Sequence, residues 1–433
     1  MNKKILRLAI PNIISNLSIP LLSSVDTAVV GHLDNVAYLG AIAIGSMIFN
    51  FVYWGFGFLR MGTTGLTAQA NGSKNDEETI QVLSRSLGLA LISAVFIILF
   101  QEMISLIAFN LVEATDEVEF FAKEYFYIRI YAAPASLALY AFHGWFLGVQ
   151  NAKYPMVLSI LTNVFNIFFN LLLIYQFGMK SDGVALGTVI SQYLGLAVAV
   201  LLYLRKYSHY NVLISLKKTI DLESIKKFFK VNIDIFLRTL MLVFSFGFFT
   251  AESAKFGDNI LAVNTILMQL WMILAYGVDG FAFAAEGLVG TYIGARDKES
   301  LRHAIKYSFY WGMALGGLLS LVYLLFGEQI FILFTDKEFL LELALPFLIW
   351  IIIAPIINSV CFIWDGVFIG ATATKAMRNS MIICTFNLFL PTYYLTKDIF
   401  GNHSLWLAMT VFMVARGLTL TVYAKKHIFN KAG

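Results

Sequence analysis

Residues Leu89–Phe100 read LALISAVFIILF and residues Leu348–Ile357 read LIWIIIAPII. Both runs are uncharged, and their apolar side chains follow one another without alternation. A strand of a membrane barrel would alternate with period two, so continuous runs predict helices. Working outward, polar and Gly-rich breaks divide the chain into twelve such segments. They lie near 8–31, 38–68, 82–110, 119–149, 154–176, 183–205, 228–255, 260–290, 302–327, 340–370, 376–397 and 403–424. Each approaches or exceeds the roughly 20 residues that a helix needs to cross a bilayer core. Of 433 residues, 59% are hydrophobic and 13% are charged. A soluble domain carries about 25% charged residues. This composition excludes a soluble enzyme, a nucleic-acid binder and a disordered scaffold, and predicts an all-α integral membrane protein with twelve transmembrane helices.

Lys and Arg crowd one set of loops: Lys3, Lys4 and Arg7, Lys74, Lys153, the run from Arg205 to Lys230, Arg296 and Lys298, Lys375 and Arg378, and Lys425 and Lys426. The opposite loops hold few bases and carry acids, as in Glu113–Glu119 (EATDEVE). The positive-inside rule then puts both termini in the cytoplasm, with the protein in the cell (cytoplasmic or inner) membrane. MNKK followed by an apolar stretch imitates a secretory signal, but no small-residue cleavage site closes it, so it reads as an uncleaved first helix. Cys361 and Cys384 fall inside spans and imply neither a disulfide framework nor a metal site.

The chain is duplicated. Thr64–Glu78 (TGLTAQANGSKNDEE) aligns with Glu286–Ser300 (EGLVGTYIGARDKES) at an offset of 222 residues, matching Gly65 to Gly287, Gly72 to Gly294 and Lys74 to Arg296. The same offset aligns Gly144–Lys153 (GWFLGVQNAK) with Gly366–Lys375 (GVFIGATATK). Two pseudo-symmetric six-helix lobes follow: 1–205 (helices 1–6) and 228–433 (helices 7–12), joined by a basic cytoplasmic linker at 206–227. Parallel repeats of this kind are common in transporters, with the substrate site at the repeat interface.

Charges that remain inside spans are expensive and mark function. Asp26 stands deep in helix 1 with no base within a helical turn. Burial raises the pKa of such a carboxyl, which suits a proton carrier; the bland alternative is permanent pairing across the bundle. Helix 5 carries Asn163, Asn166 and Asn170 at spacings of three and four, one face of a helix. Thr188 in helix 6 closes the candidate cluster. Pro11 and Pro20 each free a carbonyl in helix 1 and permit a hinge. Arg238, Asp279 and Asp365 form either a structural ion-pair cluster or part of a second site. Asp234 and Arg238 stand at i and i+4 and are expected to neutralise each other. Arg60 and Glu286, toward helix ends, are expected to snorkel.

Ser24–Leu33 (SVDTAVVGHL), Leu59–Ala70 (LRMGTTGLTAQA), Tyr276–Ala282 (YGVDGFA) and Asp365–Thr372 (DGVFIGAT) together resemble the multidrug and toxic compound extrusion (MATE) family, and within it the DinF-like branch. The resemblance runs over essentially the whole chain. It implies two six-helix lobes around a cleft and export driven by an inward proton or sodium gradient. It assigns cation coupling to Asp26, with partners matching Asn166, Asn170 and Thr188, and places the helix 1 bend at Pro11. Many relatives carry an aspartate where Asn170 stands, and losing that second acid favours a proton over sodium.

The expected function is a proton-coupled antiporter exporting amphipathic or cationic organic compounds by alternating access. It works as a monomer among membrane lipids, with no nucleic acid, no metal and no cofactor beyond the coupling ion. Two alternatives stand beside it: a sodium-coupled drug exporter, and a lipid-linked precursor flippase using Arg60, Arg129 and Arg238 for pyrophosphate. No His-Glu-x-x-His pair, Gly-x-Ser-x-Gly elbow or phosphate-binding Gly-rich loop argues for an enzyme.

Overall fold

The computed structural model describes the backbone of residues 1–30, 35–112 and 114–430, and their side chains apart from those of residues 19–30 and 274. All regular elements among the described residues are helical. In chain order they are α1 (Asn2–Val30), α2 (Val36–Gly55), α3 (Phe58–Gly72), α4 (Asp76–Leu99), α5 (Gln101–Asn110), α6 (Asp116–Arg129), α7 (Ala133–Gly148), α8 (Lys153–Tyr175) and α9 (Ser181–Tyr207). There follow α10 (Leu216–Thr219), α11 (Leu222–Ala254), α12 (Asp258–Gly294), α13 (Lys298–Ile332), α14 (Glu338–Ala344), α15 (Leu348–Gly370), α16 (Thr374–Ile383), α17 (Leu390–Phe400) and α18 (His403–Ala424).

Nine helical stretches among the described residues are long and apolar enough to cross a membrane. The three other expected spans, 8–31, 119–149 and 376–397, are not among them. Span 8–31 runs into residues whose side chains are not described. Span 119–149 is broken by a 3-10 turn, Ile130–Ala132, just before Pro134. Span 376–397 contains a π-turn, Cys384–Phe389, ahead of Pro391. A proline lacks the N–H that would continue the ladder, which is why both breaks sit beside one.

The chain divides into two compact units. The carboxy-terminal unit comprises Met1–Ile13, Gly72–Lys74 and Lys230–Gly433, and the amino-terminal unit Ile14–Asn71 and Asn75–Phe229. Segment 206–227 therefore groups with the amino-terminal unit, and helix α1 is shared between the two. The amino-terminal unit buries Phe49, Tyr125, Phe126 and Leu137 in one core and rings Trp145 with Tyr203, Tyr207 and Tyr210 in another. The carboxy-terminal unit is built around Phe249, Trp271 and Trp406.

The duplication reappears in the backbone. Lys74 and Arg296 both have φ of 56°, and Gln150 and Thr372 have φ of 59° and 48°. Each of these left-handed residues closes a helix so that the next N–H reaches back across the last turn. Asn75 N–H donates to Ala70 O (3.0 Å) and Asp297 N–H to Tyr292 O (2.9 Å). Asn151 N–H donates to Phe146 O (2.8 Å) and Ala373 N–H to Phe368 O (2.9 Å). These are the six-to-one bonds of a Schellman ending. Asn75 and Asp297 then cap the next helices, accepting from Glu78 N–H and Ser300 N–H at 2.9 Å. The same offset relates two close helix crossings. A Cβ on Gly144 would stand 2.3 Å from Arg60 O, and one on Gly366 would stand 2.2 Å from Ala282 O. Only glycine allows backbones to approach this closely.

Candidate functional site

In the amino-terminal unit, α8 and α9 pack along one another, and small residues of α9 face polar residues of α8. Gly195 packs against Thr162 Oγ1, and Gly187 against Asn170 Oδ1, where an added Cβ would stand only 2.2 Å away. Space left by Gly187 lets Asn170 turn inward, and its Nδ2 donates to Asn166 Oδ1 at 3.0 Å. Asn166 Nδ2 in turn donates to Thr188 Oγ1 at 3.0 Å, and Thr188 donates to Val184 O at 2.9 Å. Asn166 and Asn170 are buried. The structure thus brings together Asn166, Asn170 and Thr188 in a chain of neutral hydrogen bonds. Their spacing of four along α8 aims both amides at α9.

Asn163 departs from that face. Its Nδ2 donates to Ser18 O (3.2 Å) and Ser18 Oγ (3.1 Å) on α1, and Ser15 bonds Ser159 at 2.7 Å. The asparagine stripe is therefore divided, one member serving α1 and two serving α9. These contacts advance together along both helices, so α1 and α8 run parallel. Helix α1 continues through position 26 to Val30. The side chains of Asp26 and Pro20 lie outside the described residues. Pro11 is buried within α1, and Asn12 Nδ2 donates to Leu8 O at 2.9 Å beside it. The division between the two units falls between Ile13 and Ile14, two residues past Pro11.

The carboxy-terminal unit holds charge instead. Arg238 on α11 pairs with Asp365 Oδ2 on α15, and Arg416 on α18 donates to the same oxygen at 2.7 Å. All three are buried, Arg416 being 1% exposed. Two guanidiniums thus share one carboxylate oxygen. Asp279 is half-buried on α12, where its charge acts on Tyr276 one turn back. Arg416 was recognisable in the sequence as a charge within a span, but not as the second partner of Asp365.

Two expectations are corrected. Asp234 does not neutralise Arg238 along the helix. Its carboxylate takes Arg378 Nη1 at 2.6 Å and Thr374 Oγ1 at 3.1 Å, leaving Arg238 to Asp365. Glu286 does not snorkel, being 1% exposed. A Cβ on Gly370 would stand 2.3 Å from the Glu286 carbonyl, so α15 lies directly against α12 at that level. Among the other charges, Arg129 bonds Ser46 Oγ (3.0 Å) and Tyr125 Oη (2.5 Å) and stacks over Phe49. Arg60 is half-buried and acts on Tyr140 and His143. Glu252, near the end of α11, holds Lys255 Nζ and Tyr393 Oη, each at 2.7 Å.

The repeat in the backbone has a counterpart in family comparison. The MatE family model matches this chain twice, over residues 11–172 and 235–395. The chain belongs to the MatE family. This MatE chain is 39% identical to the DNA damage-inducible protein F of Escherichia coli over 99% of its own length and 93% of that protein. It is 24% identical to the multidrug resistance protein NorM of Vibrio cholerae, covering 96% of this chain and 93% of that one. A crystal structure of a MATE protein in the bent conformation superposes with a TM-score of 0.88 at 20% identity, over 99% of this chain and 96% of that one. The chain is accordingly a multi-pass membrane transporter of the MATE type. Gly187, next to Thr188 in the chain, is the residue of this candidate cluster that the sequence did not single out.

Proposed function

We propose that this MatE chain is a proton-coupled antiporter that exports amphipathic or cationic organic compounds. Asp26 is the coupling carboxyl, and Asn166, Asn170 and Thr188 are its hydrogen-bonding neighbours. The observation that carries this reading is the neutral chain from Asn170 through Asn166 to Thr188, considered with the α1–α8 register. At 1.5 Å rise per residue, position 26 lies about 12 Å beyond Ser18 and position 170 about 10.5 Å beyond Asn163. The two positions therefore share a level, and in this reading Asp26 supplies the carboxyl of the cluster. Sodium prefers several anionic oxygens, and amides with one carboxyl suit a proton better. The deprotonated carboxyl holds a cationic substrate, and protonation releases it. A proton driven through 100 mV supplies about 2.3 kcal/mol, enough for a gradient of roughly fifty-fold in a neutral solute. When one proton exchanges for one monovalent cation, no net charge moves and the pH gradient alone drives export.

Pro11 is the hinge of α1 in this reading, since the unit boundary follows it by two residues. Pro20 is a second flexible point. Arg238, Asp365 and Arg416 serve as a structural lock rather than a transport site. A monomer in the inner membrane, with both termini cytoplasmic, suffices for the cycle. The flippase alternative asks for free arginines, whereas Arg129 and Arg238 are bound to Ser46, Tyr125 and Asp365.

The test is transport by purified protein in liposomes, comparing imposed pH and sodium gradients with one fluorescent organic cation. The pH gradient is expected to drive uptake of the dye, and Asp26→Asn to abolish it while the protein still purifies as a folded monomer. Unaltered pH-driven transport in Asp26→Asn, or drive by sodium alone, overturns the assignment.

A further inference from the structure

The backbone of residues 213–219 is bonded to the start of α4, yet the aliphatic side chains along it are exposed. Arg85 on α4 donates from Nε to Thr219 O (3.1 Å) and from Nη2 to Lys218 O (2.8 Å), while its Nη1 takes Glu78 at 2.7 Å. Gln81 Nε2 donates to Leu213 O at 3.0 Å. Lys218 pairs with Glu77 at 2.5 Å. These bonds fix the backbone against the start of α4. Val212, Ile214, Leu216, Ile220 and Leu222 nevertheless stay exposed, Val212 at 87% and Leu216 at 75%. Since its backbone is pinned, the segment does not fold over to bury them.

Residues 214–221 lie between two membrane-spanning stretches that end at Leu213 and begin at Leu222. Just before them, Tyr203 and Tyr207 of α9 and Tyr210 beyond it pack around Trp145 of α7. Lys206 Nζ sits 5.2 Å from the Tyr207 ring. The ends of the two spans, at Leu213 and Leu222, set the headgroup level for the residues between them. Around the apolar residues, Arg205, Lys206, Lys217, Lys226 and Lys227 are exposed, against Asp221 and Glu223. A soluble protein surface does not keep five large aliphatics this bare. Aliphatic side chains interleaved with lysines at headgroup level do match a lipid surface, with the methylenes in the acyl boundary and the ammonium groups on phosphates.

We propose that residues 212–222 are an interfacial anchor that binds anionic phospholipid headgroups on the cytoplasmic leaflet. Arg85 holds the anchor, and Lys217, Lys226 and Lys227 supply the charge selectivity. Assignment to the cytoplasmic leaflet rests on the orientation proposed above; lipid contact itself does not.

The experiment uses the full chain in liposomes, with Leu216→Cys labelled by a bimane fluorophore; Cys361 and Cys384 are buried. Val212→Cys serves as a second site. Phosphatidylglycerol or phosphatidylcholine brominated near the headgroup is included at equal mole fraction. The expected result is an apparent enrichment of the brominated phosphatidylglycerol around the label by about fivefold, the worth of one interfacial lysine. At about 1 M salt, where the Debye length falls to roughly 3 Å, the preference disappears. It also disappears in the triple variant Lys217→Gln, Lys226→Gln, Lys227→Gln. Equal quenching by the two lipids overturns headgroup recognition. A label quenched by aqueous iodide and by neither lipid overturns the anchor altogether and leaves the surface to a soluble partner. Because quenching reads either leaflet, a wrong orientation leaves the lipid signal intact and shows only when the probe lipid is confined to one leaflet.

Discussion

Asp365 accepts from both Arg238 and Arg416 on one buried oxygen, and that asymmetry makes a sharp prediction. The cluster has two guanidiniums and one carboxylate. Asp365→Asn keeps the shape but leaves two buried cations without an anion. Removing one partner of a buried pair costs about 3–5 kcal/mol. Arg416→Met leaves the Asp365–Arg238 pair neutral and replaces the side chain by one of similar length. Its expense is the contact with the Phe412 ring, 5.2 Å from the guanidinium, about 0.5–2 kcal/mol. Asp365→Asn is therefore expected to destabilise by several kcal/mol and Arg416→Met by no more than about 2 kcal/mol. The triple variant Arg238→Met, Asp365→Asn, Arg416→Met is expected to recover much of the loss, because no charge remains in the cluster. Thermal unfolding of purified protein in detergent, followed by tryptophan fluorescence, gives the rank order of midpoints. If Arg416→Met falls as far as Asp365→Asn, the excess positive charge on which the ranking rests is wrong.

Two further outcomes follow from the same structure. Gly187→Ala puts a methyl group on Asn170 Oδ1 and must turn that amide out of its bond with Asn166; pH-driven transport is expected to fall at least tenfold, about 1.4 kcal/mol, while thermal stability drops by about 1–3 kcal/mol, and full activity would remove Asn170 from the site. Asp297 caps α13 through the Ser300 hydroxyl and N–H, which hold its carboxyl below the ordinary carboxylate range; its stabilisation is present above the unfolded value of about 3.9 and is lost as pH falls through the lower folded value, so Asp297→Asn should flatten the acid limb of the midpoint-versus-pH curve below about pH 4.

What the sequence made legible was whatever depends on neighbours along the chain. Uncharged runs gave the helices, and the 222-residue offset read from the sequence recurs in the paired left-handed turns at Lys74 and Arg296. Asn166 and Asn170 share a face because spacing four fixes one, and Thr188 meets them by hydrogen bond from α9. The failures are all contacts across the fold. Asp234 had an arginine one turn away, yet Arg378 and Thr374 reach it from another helix. A local pair on a helix is worth only about 0.2–0.5 kcal/mol, too little to outbid a buried partner. Arg416 lies 51 residues from Asp365 and no local pattern joins them. Glu286 looked like a residue near a helix end, but the close approach at Gly370 covers that level.

The two repeats keep identical helix endings and equivalent glycine crossings but differ in what they bury. One interior is joined by amide and hydroxyl bonds, each worth about 0.5–1.5 kcal/mol net and exchangeable for water or another amide. The other holds an amide cluster too, Asn264 with Ser253, Asn402 and Trp406, and adds a carboxylate between two guanidiniums, where no intermediate arrangement is cheap. Duplication has thus kept the helix endings while the buried polar chemistry diverged. Exchanging one amide or hydroxyl for another around Asn166 is therefore expected to cost less stability than removing Asp365.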